Sequence, residues 1–230
     1  LEAIRMTEHK PPLIYTSTNK VYGGLKGVTI SEGNSRYNYA PTMSQYGISE
    51  GQQLDFYSPY GCSKGAADQY VRDYARIFGL KTVVFRNSCI YGPRQYGTTD
   101  QGWLSFFARS ALSNKPITIY GDGKQVRDAL YVDDLVRAFE LAFENIDKTS
   151  GQIYNIGGGR NNTTSILELM ERLESLMQTK IEYSFDDWRP GDQKIYTSDI
   201  RKAEEDFGWW PAVPLGRGIH LMIKWIKENM

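Results

Sequence analysis

Cysteine is scarce in this sequence, which has two, Cys62 and Cys89, among 230 residues. Two thiols cannot form a disulfide framework in a chain of this size, so we expect a reducing compartment, the cytoplasm. Apolar runs are also short, and none approaches the roughly 20 residues of a membrane span. No excess of charge is present, because 27 basic residues balance 27 acidic ones. We therefore predict no membrane and no nucleic acid as partner, and no metal site.

The chain does contain an alternation of short apolar runs with longer amphipathic stretches. The runs predict strands at 13–17, 81–85, 117–120, 125–130, 153–156 and 181–185. The amphipathic stretches predict helices at 60–78, 102–113, 131–146, 164–177, 198–207 and 215–229. Residues 25–57, rich in Gly, Ser, Asn and Gln, are predicted to form a long surface loop. Alternating strands and helices are typical of an α/β fold, in which helices cover a parallel sheet.

Tyr60 and Lys64 stand four residues apart where the first long helix is predicted to begin. This spacing is about one helical turn, so both side chains share one face. A tyrosine, with an ordinary pKa of about 10, is a weak base at neutral pH, and a nearby ammonium group favours its ionised form. Such a pair can remove a proton from a sugar hydroxyl while hydride leaves the carbon. Thr18, at the end of the preceding strand, is placed to hydrogen-bond the same hydroxyl.

The spacing of Tyr60 and Lys64 occurs by chance on many helices, so its surroundings carry the prediction. Here a strand ending in Ser-Thr is followed by Val-Tyr-Gly, a long loop and Ser-Pro-Tyr-x-x-x-Lys. The motifs that accompany it are STNKVYGG, SPYGCSKGAADQY, RNSCIYGPRQ, YGDGKQVRDALYVDDL, YNIGGG and RPGDQKIYTSDIRKAEEDFGW. Together they resemble extended short-chain dehydrogenases/reductases, the NAD-dependent epimerases and dehydratases of nucleoside-diphosphate sugars. The resemblance runs from Leu1 nearly to Met230.

The resemblance implies a fold, a cofactor and partners. We expect the C-terminal part of a Rossmann-like, doubly wound parallel sheet with a smaller α/β substrate-binding domain. Residues 1–93 would be the remainder of the NAD-binding domain, and 94–230 mainly the substrate domain, with some segments returning to the Rossmann sheet. The implied cofactor is NAD, and the implied partner is a nucleoside-diphosphate sugar. A homo-oligomer, a dimer or a tetramer, is also implied.

The resemblance also implies catalytic and cofactor-binding roles. Tyr60 would be the acid/base, and Lys64 would hold the nicotinamide ribose and favour the ionised tyrosine. Thr18 falls on the family's Ser/Thr four residues before the Tyr of Val-Tyr-Gly. Ser88 matches the residue whose backbone meets the nicotinamide carboxamide. The next position often carries a diphosphate-binding Asn, but here it is Cys89, which we interpret as a buried small hydrophobe.

Substrate-binding roles follow from the same motifs. Arg127 resembles the arginine that grips the diphosphate, and Arg189 and Asp192 resemble a pair that holds the phosphates and ribose. An arginine suits this task because its planar fork matches phosphate oxygens. Tyr120 lies where an aromatic residue packs near the nucleotide base, and Gln101 lies at the start of the substrate-side helix.

Asn19 and Lys20 depart from the pattern of the dehydratase relatives, which carry an Asp and a Glu at these places to eliminate water. Asn19, which we predict to contact the substrate, cannot donate a proton as an acid would. Lys20 cannot act as that carboxylate. The departure favours simple oxidation and reduction over 4,6-dehydration.

The glycine-rich turn that binds a dinucleotide after a first strand is not found in this sequence. Residues 157–159 are three glycines, but they lack the required spacing and predict a turn. The opening residues read as the end of an amphipathic helix, so we expect that sequence upstream of Leu1 is absent from this chain. A chain that truly begins at Leu1 is predicted to bind NAD weakly or not at all.

The leading hypothesis is epimerisation of a nucleoside-diphosphate sugar at C2 by transient oxidation. A UDP-sugar 4-epimerase, or another nucleotide-sugar enzyme of the family, would use the same Thr18, Tyr60 and Lys64. A non-catalytic protein that binds sugar nucleotides or acts as a scaffold is an alternative of another class, because the cofactor motif is missing. Tyr60→Phe separates the enzyme from the scaffold, since only the enzyme needs the hydroxyl.

Overall fold

Eight α-helices and eleven strands alternate along the chain, and the computed structural model describes them for all residues, Leu1–Met230. The helices are α1 (Glu2–Met6), α2 (Ser58–Phe78), α3 (Trp103–Leu112), α4 (Val132–Glu144), α5 (Ile146–Thr149), α6 (Ile166–Met177), α7 (Arg201–Phe207) and α8 (Leu215–Glu228). The strands are β1 (Leu13–Thr18), β2 (Ile30–Glu32), β3 (Tyr37–Tyr39), β4 (Thr82–Asn87), β5 (Cys89–Tyr91), β6 (Ile117–Tyr120), β7 (Val126–Tyr131), β8 (Ile153–Ile156), β9 (Thr163–Ser165), β10 (Tyr183–Asp186) and β11 (Ile195–Tyr196). None of the helices has the length and apolar character needed to cross a bilayer.

Three parallel strands form the sheet that carries the predicted catalytic residues, in the order β1-β4-β8. Thr18 lies opposite Asn87, and Asn87 lies opposite Ile156, so the carboxyl ends of the strands meet at one edge. Ligands of parallel α/β sheets bind beyond that edge. The prediction of an α/β fold with a parallel sheet is confirmed.

The other strands form smaller sheets around a second apolar core. Strands β11-β7-β5 pair in parallel, β9 pairs antiparallel with β7, and β10 pairs in parallel with β6. Helices α3, α6 and α8 bury apolar side chains against β6, β7 and each other. The first sheet takes β8 from residues 153–156, after the substrate domain is predicted to begin. The division at residue 93 stays a prediction.

Helix α2 is fixed to the first sheet by a buried ion pair. Pro59 lies in its first turn, and Gly79 ends it in the left-handed conformation. Asp68 accepts hydrogen bonds from Arg86 Nε (2.8 Å) and Nη2 (3.0 Å), and a third from Ser17 Oγ (2.9 Å). The side chains of Asp68 and Arg86 are 0% and 2% exposed. These bonds join α2 to both β1 and β4, so the face that carries Tyr60 and Lys64 has a defined position.

The prediction of a surface loop over 25–57 was wrong for part of the segment. Strands β2 and β3 pair there as an antiparallel hairpin. Tyr37 is buried with Val126 and Ile195, and its hydroxyl donates to Asp122 Oδ2 (2.5 Å). Single apolar residues between polar ones hold this hairpin, and such isolated residues produce no periodic signal.

Several predicted boundaries also needed correction. Helix α6 begins at Ile166 rather than at 164, because Ser165 caps it in a reciprocal box with Glu168. Residues 131–146 form α4 and the start of α5, with Asn145 between them. Strands β5, β9 and β11 have three, three and two residues, which is too short for a recognisable alternation.

Candidate active site

The carboxyl end of β1 leads directly into a tight turn that begins with the predicted catalytic threonine. Thr18 is buried, and its Oγ1 accepts a hydrogen bond from the Lys20 backbone N–H (3.2 Å). Oγ1 also lies 3.4 Å from Asn19 Oδ1, to which it donates. Asn19 Nδ2 in turn reaches Gln193 Oε1 at 3.5 Å. The amide of Asn19 therefore links the turn to Gln193, and Asn19 does not line the neighbouring cleft.

Tyr60 and Lys64 stand on α2 beside this turn. The Tyr60 side chain is 49% exposed, and its hydroxyl makes no hydrogen bond. Lys64 Nζ donates to the Thr16 carbonyl (2.8 Å) and lies 5.1 Å from the centroid of the Tyr15 ring. Lys64 Nζ is thus near the free side of β1, which pairs only with β4. A phenol that is open to solvent, as that of Tyr60 is, can exchange a proton with a bound hydroxyl.

Two glycines of α2 face its neighbours, and one of them, Gly65, permits a close approach that a side chain would block. A Cβ on Gly61 would stand 3.4 Å from the Lys20 carbonyl, so the first turn of the helix rests on the turn after Thr18. A Cβ on Gly65 would come within 2.3 Å of the Phe56 ring. The first turn of α2, which carries Tyr60, therefore lies next to the turn that follows Thr18.

A cleft next to this edge collects most of the predicted substrate-binding residues. Its lining consists of Lys20, Thr99, Asp100, Gly102, Trp103, Phe106, Phe107, Thr118, Tyr120, Gln125, Arg127, Ile166, Arg189 and Asp192. The Arg189 guanidinium carbon lies 3.9 Å from the centroid of the Tyr120 ring, a cation–π contact. Arg189 Nη1 also lies 3.5 Å from Asp100 Oδ1. Arg189 thus contacts both Tyr120 at the end of β6 and Asp100 in the segment before α3.

Positive charge dominates the inner part of the cleft. Arg127 Nη1 donates to the Val126 carbonyl (2.8 Å), and burial lowers the pKa of its guanidinium. Lys20 Nζ lies 3.5 Å from Asp192 Oδ1. Burial, followed by the nearby Arg127, lowers the pKa of the Lys20 ammonium, which Asp192 partly restores. Two half-buried cations with one carboxylate between them favour an anionic ligand.

The remaining two predicted residues lie outside the cleft. Ser88 donates its backbone N–H to the Ile156 carbonyl (2.9 Å), and its Oγ donates to the carboxylate of Asp128. Burial raises the pKa of that carboxyl group. Ser88 therefore joins β4 to β8 and β7 at the carboxyl edge. Gln101 is exposed in a turn closed by its carbonyl and the Thr98 N–H (2.8 Å).

Sequence reasoning missed several polar and aromatic residues of the cleft, and three of them are Gln125, Trp103 and Lys20. Gln125 lies beneath Tyr120, with its Nε2 bonded to the Tyr120 carbonyl (2.7 Å) and its Oε1 buried without a partner. Trp103 packs at the start of α3. The sequence analysis used Lys20 only as evidence against dehydration, because it stands where the dehydratase relatives carry a Glu, and did not predict it to bind the substrate. The position of Lys20, two residues after Thr18, could have indicated that its side chain lies near the substrate.

A family model described as the NAD dependent epimerase/dehydratase family matches residues 1–157. The chain is also 44% identical to a CDP-paratose 2-epimerase of Salmonella typhi, over 99% of this chain and 68% of that protein. This chain belongs to the NAD dependent epimerase/dehydratase family. Another epimerase/dehydratase relative is a putative UDP-glucose 4-epimerase of Methanocaldococcus jannaschii, 33% identical over 89% of this chain and 64% of the relative.

Solved structures of epimerase/dehydratase proteins share this fold. The chain superposes on a UDP-glucuronic acid 4-epimerase from Bacillus cereus, solved in complex with UDP-glucuronic acid and NAD, with a TM-score of 0.82. The two are 29% identical, and the match covers 100% of this chain and 65% of that one. The chain thus spans about two thirds of the length of these relatives. The predicted family and its Rossmann-like fold are confirmed.

Proposed function

We propose that this protein catalyses the NAD-dependent epimerisation of a nucleoside-diphosphate sugar, converting CDP-paratose to CDP-tyvelose by transient oxidation at C2. The observation that carries the substrate assignment is the 44% identity to the CDP-paratose 2-epimerase of Salmonella typhi, which extends over 99% of this chain. The motifs of the sequence, from Ser17-Thr18 to Arg189-Pro190-Gly191-Asp192, favour the same activity. The arrangement of an exposed tyrosine beside a cationic cleft supports it chemically.

The residues at the carboxyl edge of the first sheet fit the nicotinamide end of NAD. Lys64 offers an ammonium group on the free side of β1, and Tyr60 stands one turn before it. At the end of β4, Asn87 Oδ1 is buried without a hydrogen-bond partner, so an acceptor is available to a bound amide. Ser88 is the other predicted contact. Its backbone N–H already donates to the Ile156 carbonyl, so it would contact the cofactor through its backbone carbonyl. When bound there, NAD supplies an acceptor and donor of hydride.

Tyr60 is proposed as the group that moves the proton. Its phenolate removes the proton of the sugar hydroxyl as that carbon is oxidised, and the phenol returns it when the carbon is reduced from the other face. Thr18 orients the same hydroxyl through Oγ1. Lys64, one turn further along α2, is proposed to hold the nicotinamide ribose. The proton balance closes within the active site, so the reaction consumes no external acid or base.

The cleft is proposed to hold the nucleotide part of the substrate. Arg127 and Arg189 would bind the diphosphate, Asp192 the ribose, and Tyr120 the base. Gln101 and Asn19, which do not line the cleft, are proposed only as contacts to a bound sugar. Neither the amide of Asn19 nor the ammonium of Lys20 can replace the acid and carboxylate that dehydration needs. The residue types at these two positions therefore favour epimerisation.

The test is to express the protein from its complete reading frame and to incubate it with CDP-paratose and NAD. Proton NMR should show CDP-tyvelose accumulating to an equilibrium mixture with no net change in absorbance at 340 nm. Unchanged CDP-paratose together with turnover of a UDP-hexose would overturn the substrate assignment and leave the reaction class standing.

A UDP-sugar 4-epimerase is the second candidate function, favoured by the fold shared with the Bacillus cereus UDP-glucuronic acid 4-epimerase. The two candidates differ in the base and in the reacting carbon, while Thr18, Tyr60 and Lys64 serve both. Calorimetric affinities for CDP and UDP separate them. Tighter binding of UDP by tenfold or more would favour the second candidate.

We also propose that the protein forms a homo-oligomer and works in the cytoplasm. The family resemblance supports the oligomer, and the two free cysteines are consistent with a reducing compartment. Light scattering coupled to size-exclusion chromatography gives the mass in solution. A monomer at micromolar concentration would contradict the oligomer.

A further inference from the structure

Lys20 connects the catalytic turn with the cleft. Its backbone N–H donates to Thr18 Oγ1 (3.2 Å), and its carbonyl accepts from the Gly23 N–H (3.1 Å) and lies next to Gly61 in the first turn of α2. Its side chain leaves this turn and enters the wall of the cleft, where Arg127 and Asp192 also lie. No other residue belongs both to the turn after β1 and to the cleft lining. A group bound by Lys20 is thereby tied to the position of Thr18.

The ammonium group of Lys20 has no strong partner in this structure. Nζ lies 3.3 Å from the Gly191 carbonyl and 3.5 Å from Asp192 Oδ1. Charge-assisted hydrogen bonds between nitrogen and oxygen are usually about 2.7–2.9 Å long. An ammonium group has three donors, so these two long contacts leave most of its capacity unused.

The guanidinium of Arg127 also has unused hydrogen-bond donors. Arg127 forms no salt bridge, and its guanidinium donates one side-chain hydrogen bond, to the carbonyl of Val126 (2.8 Å). Burial lowers the pKa of both Arg127 and Lys20, and Arg127 lowers that of Lys20 further. Two partly desolvated cations that repel each other gain energy from an anion bound between them.

We propose that Lys20 binds the diphosphate of the nucleotide-sugar substrate together with Arg127. The inference rests on the proposed function, because it takes the cleft as the nucleotide site. A diphosphate esterified at both ends carries about two negative charges, and Lys20 would join Arg127 and Arg189 in balancing them. The ammonium group of Lys20 exchanges its long contact with Asp192 for a phosphate oxygen. Lys20 thereby sets the distance between the phosphates and the hydroxyl at Thr18.

The experiment measures CDP and UDP binding by calorimetry for the wild-type protein, Lys20→Met and Lys26→Met. Methionine keeps most of the length of the side chain and removes the charge, and Lys26 is an exposed lysine on the loop that follows this turn, with no side-chain partner. Lys20→Met should weaken binding of the preferred nucleotide by about tenfold to a hundredfold, the usual loss for a hydrogen bond to a charged group. Lys26→Met should match wild type. The loss should be smaller for the nucleoside monophosphate, which lacks the second phosphate.

Two results would show that Lys20 does not bind the diphosphate. Equal affinities for Lys20→Met and wild type, in a variant that melts at the wild-type temperature, would overturn the inference. An equal loss for diphosphate and unphosphorylated nucleoside would also overturn it, since Lys20 would then act only as a tie between β1 and the 189–192 loop. Failure of the epimerase is a separate result. A protein that binds CDP through Lys20 but does not convert CDP-paratose would retain this inference and lose the proposed reaction.

Discussion

Two neighbouring regions of this molecule are built in different ways. The edge that we propose to be catalytic, formed by Thr18, Tyr60 and Lys64, stands on one strand and one helix joined by the buried Asp68–Arg86 pair. The cationic cleft, which holds Lys20, Arg127, Arg189 and Asp192, is assembled from segments far apart in the chain. Hydrogen bonds of 2.8–3.0 Å support the edge from Asp68, whereas the ion pairs that cross the cleft are 3.5 Å long.

The difference indicates that the edge is organised before any ligand arrives, while the cleft contains charges still available to one. The buried pair under the edge has satisfied its hydrogen bonds within the protein. In the cleft, Arg189 stacks on Tyr120, and its partner Asp100 has a side chain that is 83% exposed. Such exposed pairs contribute little energy, so a phosphate can displace them. Substitutions at the edge should therefore alter turnover or folding, and substitutions in the cleft should alter affinity.

The largest effect is expected from Tyr60→Phe at the catalytic edge. Loss of the phenol removes the proposed general acid/base, which should reduce turnover by about 10²–10⁴-fold. Affinity for CDP should not change, because the Tyr60 hydroxyl makes no hydrogen bond and Tyr60 does not line the cleft. Steady-state kinetics and calorimetry on the same preparation measure the two quantities.

Tyr70→Phe is the matched control for this experiment, since Tyr70 is an exposed tyrosine further along α2. It should keep wild-type turnover. Wild-type turnover in Tyr60→Phe as well would contradict the catalytic role and favour a protein that only binds sugar nucleotides.

The next effect concerns the support beneath the edge. Asp68→Ala removes one partner of a buried ion pair and leaves Arg86 charged without a carboxylate. The free energy of unfolding should fall by about 3–5 kcal/mol, as measured by urea denaturation. Asp147→Ala breaks the exposed pair of Asp147 with Lys81 and should leave the midpoint unchanged. Similar losses in both variants would show that the buried pair has no special role.

The edge was predictable from the sequence because its elements are continuous. Tyr60 and Lys64 share one turn of a helix that Pro59 opens and Gly79 ends, and local spacing carries that information. Thr18 ends an apolar run that becomes β1. The support of α2 was not predictable, because Asp68 and Arg86 are eighteen residues apart and meet only through the packing of α2 on β4.

The cleft could not be assembled from spacing alone. Arg127 and Asp192 came only from the resemblance to known motifs, and Lys20 was considered for what it excludes. Their proximity depends on the paths of loops such as 187–192, and loop paths leave no periodic pattern in a sequence. The hairpin of β2 and β3 escaped prediction for the same reason, since Tyr37 is buried by long-range contacts.

The smallest effect is expected in the alkylation rates of the two cysteines, because one lies in each region. Cys62 is exposed between Tyr60 and Lys64 on α2, whereas Cys89 in β5 packs against the core near Trp103 of the cleft. Burial raises the pKa of the Cys89 thiol to about 12, so very little thiolate exists at pH 8.

Brief treatment of the native protein with iodoacetamide at pH 8 should modify one thiol per chain, and peptide mass spectrometry should locate it at Cys62. Cys62→Ser should remove the fast reaction, and both thiols should react in urea. Labelling of native Cys89 as fast as Cys62 would mean that the wall of the cleft opens to solvent, and that the cleft is less well packed than the core beneath it.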